Sequence, residues 1–137
     1  MIERKETKYI VIHCADTPAD MDIGVETIRK WHVEERGWDD VGYHYIIKRD
    51  GKIEPGRDVK VQAAHARAVN SKSVGICLVG RGDNFTEDQF FALHNLINTL
   101  NSMYDDLEII GHSDVEPKKP HCPGFNVKEW VQEEFYG

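Results

Sequence analysis

Short apolar runs and helical stripes alternate along this chain. Tyr9-Ile10-Val11-Ile12 is a β-rich run that predicts a buried strand and delivers His13 at its C-terminal end. Asp16-Thr17-Pro18 breaks it. Val25, Ile28 and Trp31 recur at helical spacing and predict a helix from Val25 to about Arg36, with Gly37 as its C-terminal glycine. Tyr43-His44-Tyr45-Ile46-Ile47 reads as a second strand. Asp50-Gly51 turns it tightly into Ile53, because this dipeptide suits the positive φ angles of a hairpin. Ser73 to Val79 is apolar enough for a central strand, ended by Gly80. Thr86-Glu87-Asp88-Gln89 is a capping-box start for the longest helix, whose core stripe is Phe90, Leu93, Ile97, Leu100 and Tyr104. Leu107-Glu108-Ile109-Ile110 is another strand, running into Gly111-His112. A last short helix begins near Asn126 and packs Trp130 and Phe135. Strands alternating with helices predict an α/β fold, a single domain over residues 1–137 with a mixed central β-sheet flanked by helices.

Composition narrows the class. The chain has 137 residues, 40% hydrophobic and 30% charged, enough for one core without disulfides. No apolar run approaches the roughly 20 residues of a bilayer span, so no membrane partner is expected. Met1 to Glu6 carries charges where a signal peptide needs its apolar stretch, which predicts synthesis and folding in the cytoplasm. A net charge of −7, from 17 Lys+Arg against 24 Asp+Glu, argues against nucleic acid as a partner, since such binding rests on cationic contacts with phosphates. It also argues against bulk attraction to an anionic membrane or wall polymer, so an anionic substrate must be held by local groups. Without repeats, low-complexity tracts or linkers there is no room for a separate wall-anchoring module, and a monomer is expected. Three unevenly spaced cysteines do not make a disulfide framework.

Among seven histidines, placement separates His13 and His112: each stands just past a β-rich run, where strand ends meet loops. Cys122 follows in a Pro-rich loop ten positions after His112. Two imidazoles and a thiolate with a fourth position open form a recognised catalytic zinc arrangement, whereas structural zinc sites usually have four protein ligands. Residue counting leaves rivals. His32 and His94, in helices beside core positions, read as structural. Cys14 points to the face opposite His13 in an extended chain and reads as a buried thiol. Cys77 reads as core. His121 adjoins Cys122 and could replace it as a ligand.

The ordered segments Ile12-His13-Cys14-Ala15, Gly24-Val25, Ile28-Arg29, Trp31-His32, Val41 to Gly51, Ser73 to Gly80 and His112…Cys122-Pro123 together resemble the zinc-dependent N-acetylmuramoyl-L-alanine amidases. That family includes small phage lysozymes, and animal peptidoglycan recognition proteins share its fold. The resemblance spans about residues 9 to 130, and Val41–Gly51 is most like the phage lysozymes. It implies one Zn2+ per chain held by His13, His112 and Cys122, with Tyr43 beside the metal to hydrogen-bond the attacking water or the developing tetrahedral centre. It makes His65 and Asn70, in a groove segment His65-Ala66…Asn70, substrate contacts. The implied substrate is peptidoglycan or a muropeptide, cut between the lactyl group of N-acetylmuramic acid and L-alanine. The setting it implies is a phage or prophage lysis enzyme acting on the cell wall.

Two positions depart from the pattern. Cytoplasmic muropeptide-recycling amidases have a glutamate where this chain has Cys77, which cannot act as that acid/base; a tyrosine-type site fits better. The phage lysozymes have a lysine two positions before the last ligand. Here the loop reads Pro117-Lys118-Lys119-Pro120-His121-Cys122, two residues longer, and the oxyanion role falls to Lys119 ahead of Lys118. Three other readings compete: a recycling amidase for soluble anhydro-muropeptides, a non-catalytic peptidoglycan-binding module, and a cysteine hydrolase using Cys14 or Cys122.

Overall fold

The computed structural model describes residues 1–137. Its elements in chain order are β1 (Tyr9–Cys14), α1 (Val25–Lys30) continued by a π-helical turn (Trp31–Glu35), β2 (Tyr45–Ile47), β3 (Ile53–Pro55), β4 (Ser73–Leu78), α2 (Glu87–Met103), β5 (Glu108–Gly111), α3 (His112–Val115) and α4 (Val127–Tyr136). They form one five-stranded sheet in the order β3-β2-β4-β1-β5. β1 pairs in parallel with β4 and with β5, β4 pairs in parallel with β2, and only the hairpin strand β3 runs antiparallel. The mixed sheet flanked by helices is the fold the alternation of runs predicts.

The period-2 alternation of β1 and β4 separates two faces. Ile10, Ile12, Val74, Ile76 and Leu78 point to one side and pack on Ala92, Leu93, Leu96, Ile97 and Leu100 of α2 and Val127 of α4. Thr86 and Gln89 close the capping box at the start of α2, with Gln89 N–H donating to Thr86 Oγ1 (3.1 Å) and Thr86 N–H to Gln89 Oε1 (3.0 Å). Gln89 itself is fully buried because its amide also donates to the Ile47 and Val79 carbonyls. Phe90 and Tyr104 of the predicted stripe are only partly buried. On the opposite face Val25, Ile28, Val41, Ile46, Cys77 and Val79 pack together with Trp31 and Tyr43. The carboxyl ends of the parallel strands meet at one edge, with α1 and the segment before β4 beside it.

Two expected elements differ. The helix from Val25 is α-helical only to Lys30 and then widens into the π turn, before ending at Gly37 with the predicted positive φ of 71°. The second strand begins at Tyr45, not Tyr43, because the His44 side chain stands in for a ladder bond. Its Nδ1 accepts from Gly75 N–H (2.9 Å), and its Nε2–H donates to the Val61 carbonyl (2.7 Å).

Burial pushes the His44 pKa down to about 4, the Val61 carbonyl only partly opposing it. A folded-state pKa below the unfolded value near 6.5 gives stability that is complete above pH 6.5 and lost as pH falls through 4. Between those limits the wild type should lose on the order of 3 kcal/mol that a His44→Gln variant does not lose, at about 1.4 kcal/mol per unit. Urea unfolding of both proteins at several pH values measures the difference; parallel pH profiles would contradict it.

Candidate metal centre

In-register pairing of β1 with β5, Ile12 opposite Gly111, sets His13 beside the first residue of α3, His112. Gly111 N–H donates to Asp114 Oδ2 (2.8 Å) and fixes the start of that short helix. The following loop is tied back where Ser113 N–H donates to the Cys122 carbonyl (2.9 Å). The possible ligand atoms of His13, His112 and Cys122 lie within 4.8 Å of one another, and the two rings are 4.3 Å apart between centroids. His13 and His112 are buried; Cys122 is partly exposed.

This donor set fits a zinc ion. His13 Nε2 is 2.8 Å from His65 Nδ1. His112 Nε2 is buried and stands 3.2 Å from Glu116 Oε2, yet too obliquely for a hydrogen bond. No group of the fold hydrogen-bonds Nδ1 of either ring. Burial, reinforced by the neighbouring imidazoles, holds His13 well below its ordinary pKa. Burial also lowers His112, against the pull of Glu116 and with help from Lys119. Both rings are therefore neutral, as metal ligands must be. The Cys14 thiol, and then burial, push Cys122 up in the bare fold, but a coordinating thiol is deprotonated by the cation itself. The Cys14 N–H, 3.3 Å from Cys122 Sγ, offers that sulfur a donor.

A cleft of about 420 Å³ is lined by His112 and Cys122, with His13 beneath it, not on its lining. Tyr43 lines it with its ring 5.1 Å from that of His13. Burial first, and then the sulfurs of Cys77, Cys122 and Cys14, raise the Tyr43 pKa, so its hydroxyl keeps its proton at neutral pH. Trp31, His32 and Trp38 form a wall, with the Arg36 guanidinium 5.2 Å above the Trp38 ring. Lys118 and Lys119 both line the other side. The Lys119 charge lowers the pKa of both His112 and Glu116.

The remaining candidates fall in different places. His65 is at the cleft floor, behind His13. Asn70 lines a separate depression, and its Oδ1 accepts from the N–H groups of His65 (2.9 Å) and Ala66 (2.8 Å). His121 and Cys14 border the cleft but stay outside the trio. Cys14 is buried as expected, though it edges the cleft. Cys77 is fully buried in the cluster that includes Tyr43. His94 is far away, bonded to Glu134. His32 is structural in part, its Nδ1 accepting from Gly42 N–H at 2.7 Å. Glu116 was not anticipated; its place four residues after His112 on a helical turn is the signal that reveals it.

Two buried imidazoles and a thiol beside an open cleft form a donor set that can leave a fourth coordination position free for substrate or water. The chain belongs to the N-acetylmuramoyl-L-alanine amidase family, whose model matches residues 3–125. It is 45% identical over 137 residues to the endolysin of Enterobacteria phage K11, covering 95% of this chain and 89% of that one. The endolysin of Klebsiella phage KP32 is 47% identical over 135 residues, with 93% and 87% covered. The N-acetylmuramoyl-L-alanine amidase LysC from Clostridium intestinale superposes with a TM-score of 0.83 at 29% identity, covering 94% of this chain and 85% of its own. The protein is an amidase, and its fold is that of this family.

Asp114→Ala removes the acceptor that starts the His112 helix. It should destabilise the protein by about 1 kcal/mol, the usual cost of losing such a cap, and urea unfolding measures it.

Proposed function

We propose that this amidase is a zinc enzyme of phage-type lysis, with His13, His112 and Cys122 as ligands and cell-wall peptidoglycan as substrate. The observation that carries the reading is the convergence of these three side chains, from β1, α3 and the loop after it, beneath a cleft bordered by Tyr43. Likeness to two phage endolysins supports the lysis role. Zinc held there supplies Lewis acidity toward the scissile carbonyl and makes water acidic near neutral pH.

The chain's own residues supply the rest. The Tyr43 hydroxyl, protonated at neutral pH, hydrogen-bonds the attacking water and then the tetrahedral oxygen. The Lys119 ammonium holds the developing negative charge, with Lys118 beside it in sequence on the same cleft. Arg36 and the two lysines bring local positive charge to a cleft in a protein of net charge −7, as an anionic wall substrate requires. Trp31 and Trp38 offer apolar surface to the glycan–peptide junction and exclude water from it.

Incubation of the full chain with intact sacculi should release stem peptides with a free L-alanine amine, identified by mass spectrometry. A zinc chelator should stop the release and added zinc restore it. Faster turnover of soluble anhydro-muropeptide than of sacculi would overturn the lysis role while leaving the amidase.

Cys122→Ala should lose both stoichiometric zinc and activity; retention of both refutes the ligand set. Tyr43→Phe should keep zinc but lose about 10²–10⁴ in kcat, the range for a positioned proton-transfer group. Lys119→Ala should cost about 10²–10³ in kcat, as for one oxyanion donor, and more than Lys118→Ala. Equal losses from the two lysine variants would remove the assignment to Lys119.

A further inference from the structure

Behind His13 lies a line of polar groups that the reaction does not touch. His13 Nε2 is 2.8 Å from His65 Nδ1, His65 Nε2 is 3.0 Å from Ser73 Oγ, and Ser73 Oγ is 2.7 Å from the Val69 carbonyl. Ser73 is fully buried, and His13 and His65 nearly so, so bulk water cannot exchange for any of these partners. The far end of the line determines where every proton in it lies. A carbonyl oxygen only accepts, and a serine hydroxyl has one hydrogen, so that hydrogen points to Val69. Ser73 Oγ must then accept from His65, which places the His65 proton on Nε2. The neutral ring has a lone pair left on Nδ1, and the group facing it at 2.8 Å has to donate. His13 therefore carries its proton on Nε2, and its Nδ1 is bare.

The opposite arrangement fails at one step. A proton on His13 Nδ1 would set two nitrogen lone pairs against each other across 2.8 Å. It would also cover the nitrogen that no other group of the fold engages. Outer partners of this kind orient metal-bound imidazoles and fix their tautomers.

The His65 ring is itself held in place from two directions. Asn70 Oδ1 accepts from the backbone N–H groups of both His65 and Ala66, which fixes the chain from which the ring projects. The ring lies flat on Gly75 of β4: a Cβ built there would stand 2.6 Å from His65 Cγ and 2.7 Å from Nδ1. A glycine in the middle of a central strand gives up side-chain packing, and here the vacated volume is filled by the imidazole. Ser73 and Gly75 are two residues apart and so share one face of the strand.

We propose that Ser73 and His65 are positioning residues that lock His13 in the Nε2–H tautomer, presenting Nδ1 to the metal. The proposal rests on the reading of His13 as a ligand. It assigns His65 a role toward the metal from behind the ligand, with Asn70 and Gly75 holding it there.

The test uses the full chain, stripped of metal by a chelator. Histidine 15N spectra of the wild type should show His13 protonated on Nε2; protonation on Nδ1 overturns the proposal without any variant. His65→Leu and Ser73→Ala should weaken zinc binding about 10- to 100-fold in competition with a chromophoric chelator, the usual loss for such a partner. His65→Asn should bind zinc nearly as the wild type does, because its Oδ1 falls close to the position of the imidazole Nδ1 and can accept from His13. A folded His65→Leu with unchanged zinc affinity, or a His65→Asn as weak as His65→Leu, overturns the relay. His13→Ala separates the two readings. If it keeps wild-type zinc affinity, the ligand assignment fails; if it loses zinc while His65→Leu does not, only the relay fails.

Discussion

Parallel pairing of β1 with β4 on one side and β5 on the other is the constraint from which the site follows. Parallel strands end on the same edge, so residues from distant parts of the sequence arrive together without any loop having to bridge them. His13 and His112 meet because the register of β1 and β5 is fixed, and Cys122 needs only one return of the chain. A one-residue slip would turn His13 to the α2 face and Ile12 toward the cleft. Apolar packing of Ile10 and Ile12 against α2 thus holds His13 in place from the far side of the sheet.

β4 contributes no residue to the His13, His112 and Cys122 trio, yet it shapes the floor of the site. Its residues facing away from α2 are Ser73, Gly75 and Cys77, and His13 lies directly opposite Cys77 in register. One accepts the His65 proton, one leaves space for the His65 ring, and one is small enough to pack beside Tyr43. The sheet is therefore apolar on one face and polar beneath the cleft on the other. Such polarity is tolerable only when each buried group has a partner, because an unpaired one costs about 1–3 kcal/mol. His32 has Gly42, His44 has Gly75 and Val61, and His65 has His13 and Ser73. His112 Nε2 is the exception, with only the oblique carboxylate of Glu116 beside it.

Much of this was legible in the sequence where a local rule sufficed. The Tyr9–Ile12 run announced a strand and put His13 at its end; Thr86 and Gln89 announced the start of α2; Gly37 announced the helix end. The β2 boundary was not legible, since His44 reads as one more strand residue until its ring is seen taking a backbone N–H from β4. The π turn was equally hidden: it alters hydrogen-bond spacing without altering the apolar stripe. The link from His13 to His65 crosses 52 positions and depends on a glycine in a third segment, so no spacing rule could propose it. Family resemblance drew attention to His65 and Asn70 as a pair, but only the fold shows that Asn70 holds the backbone of His65.

The proposed choice between the two loop lysines rests on where the turns after α3 place them. Lys119 N–H donates to the Glu116 carbonyl (2.9 Å) and Cys122 N–H to the Lys119 carbonyl (3.2 Å), two successive three-residue turns. Lys119 thus closes one turn and opens the next, its backbone tied to Glu116 on one side and to Cys122 on the other. The lysine charge felt by both His112 and Glu116 is that of Lys119. Counting forward from Pro117 and counting back from Cys122 both treat the loop as extended, so neither captures this proximity, and the proposed oxyanion role stays with Lys119.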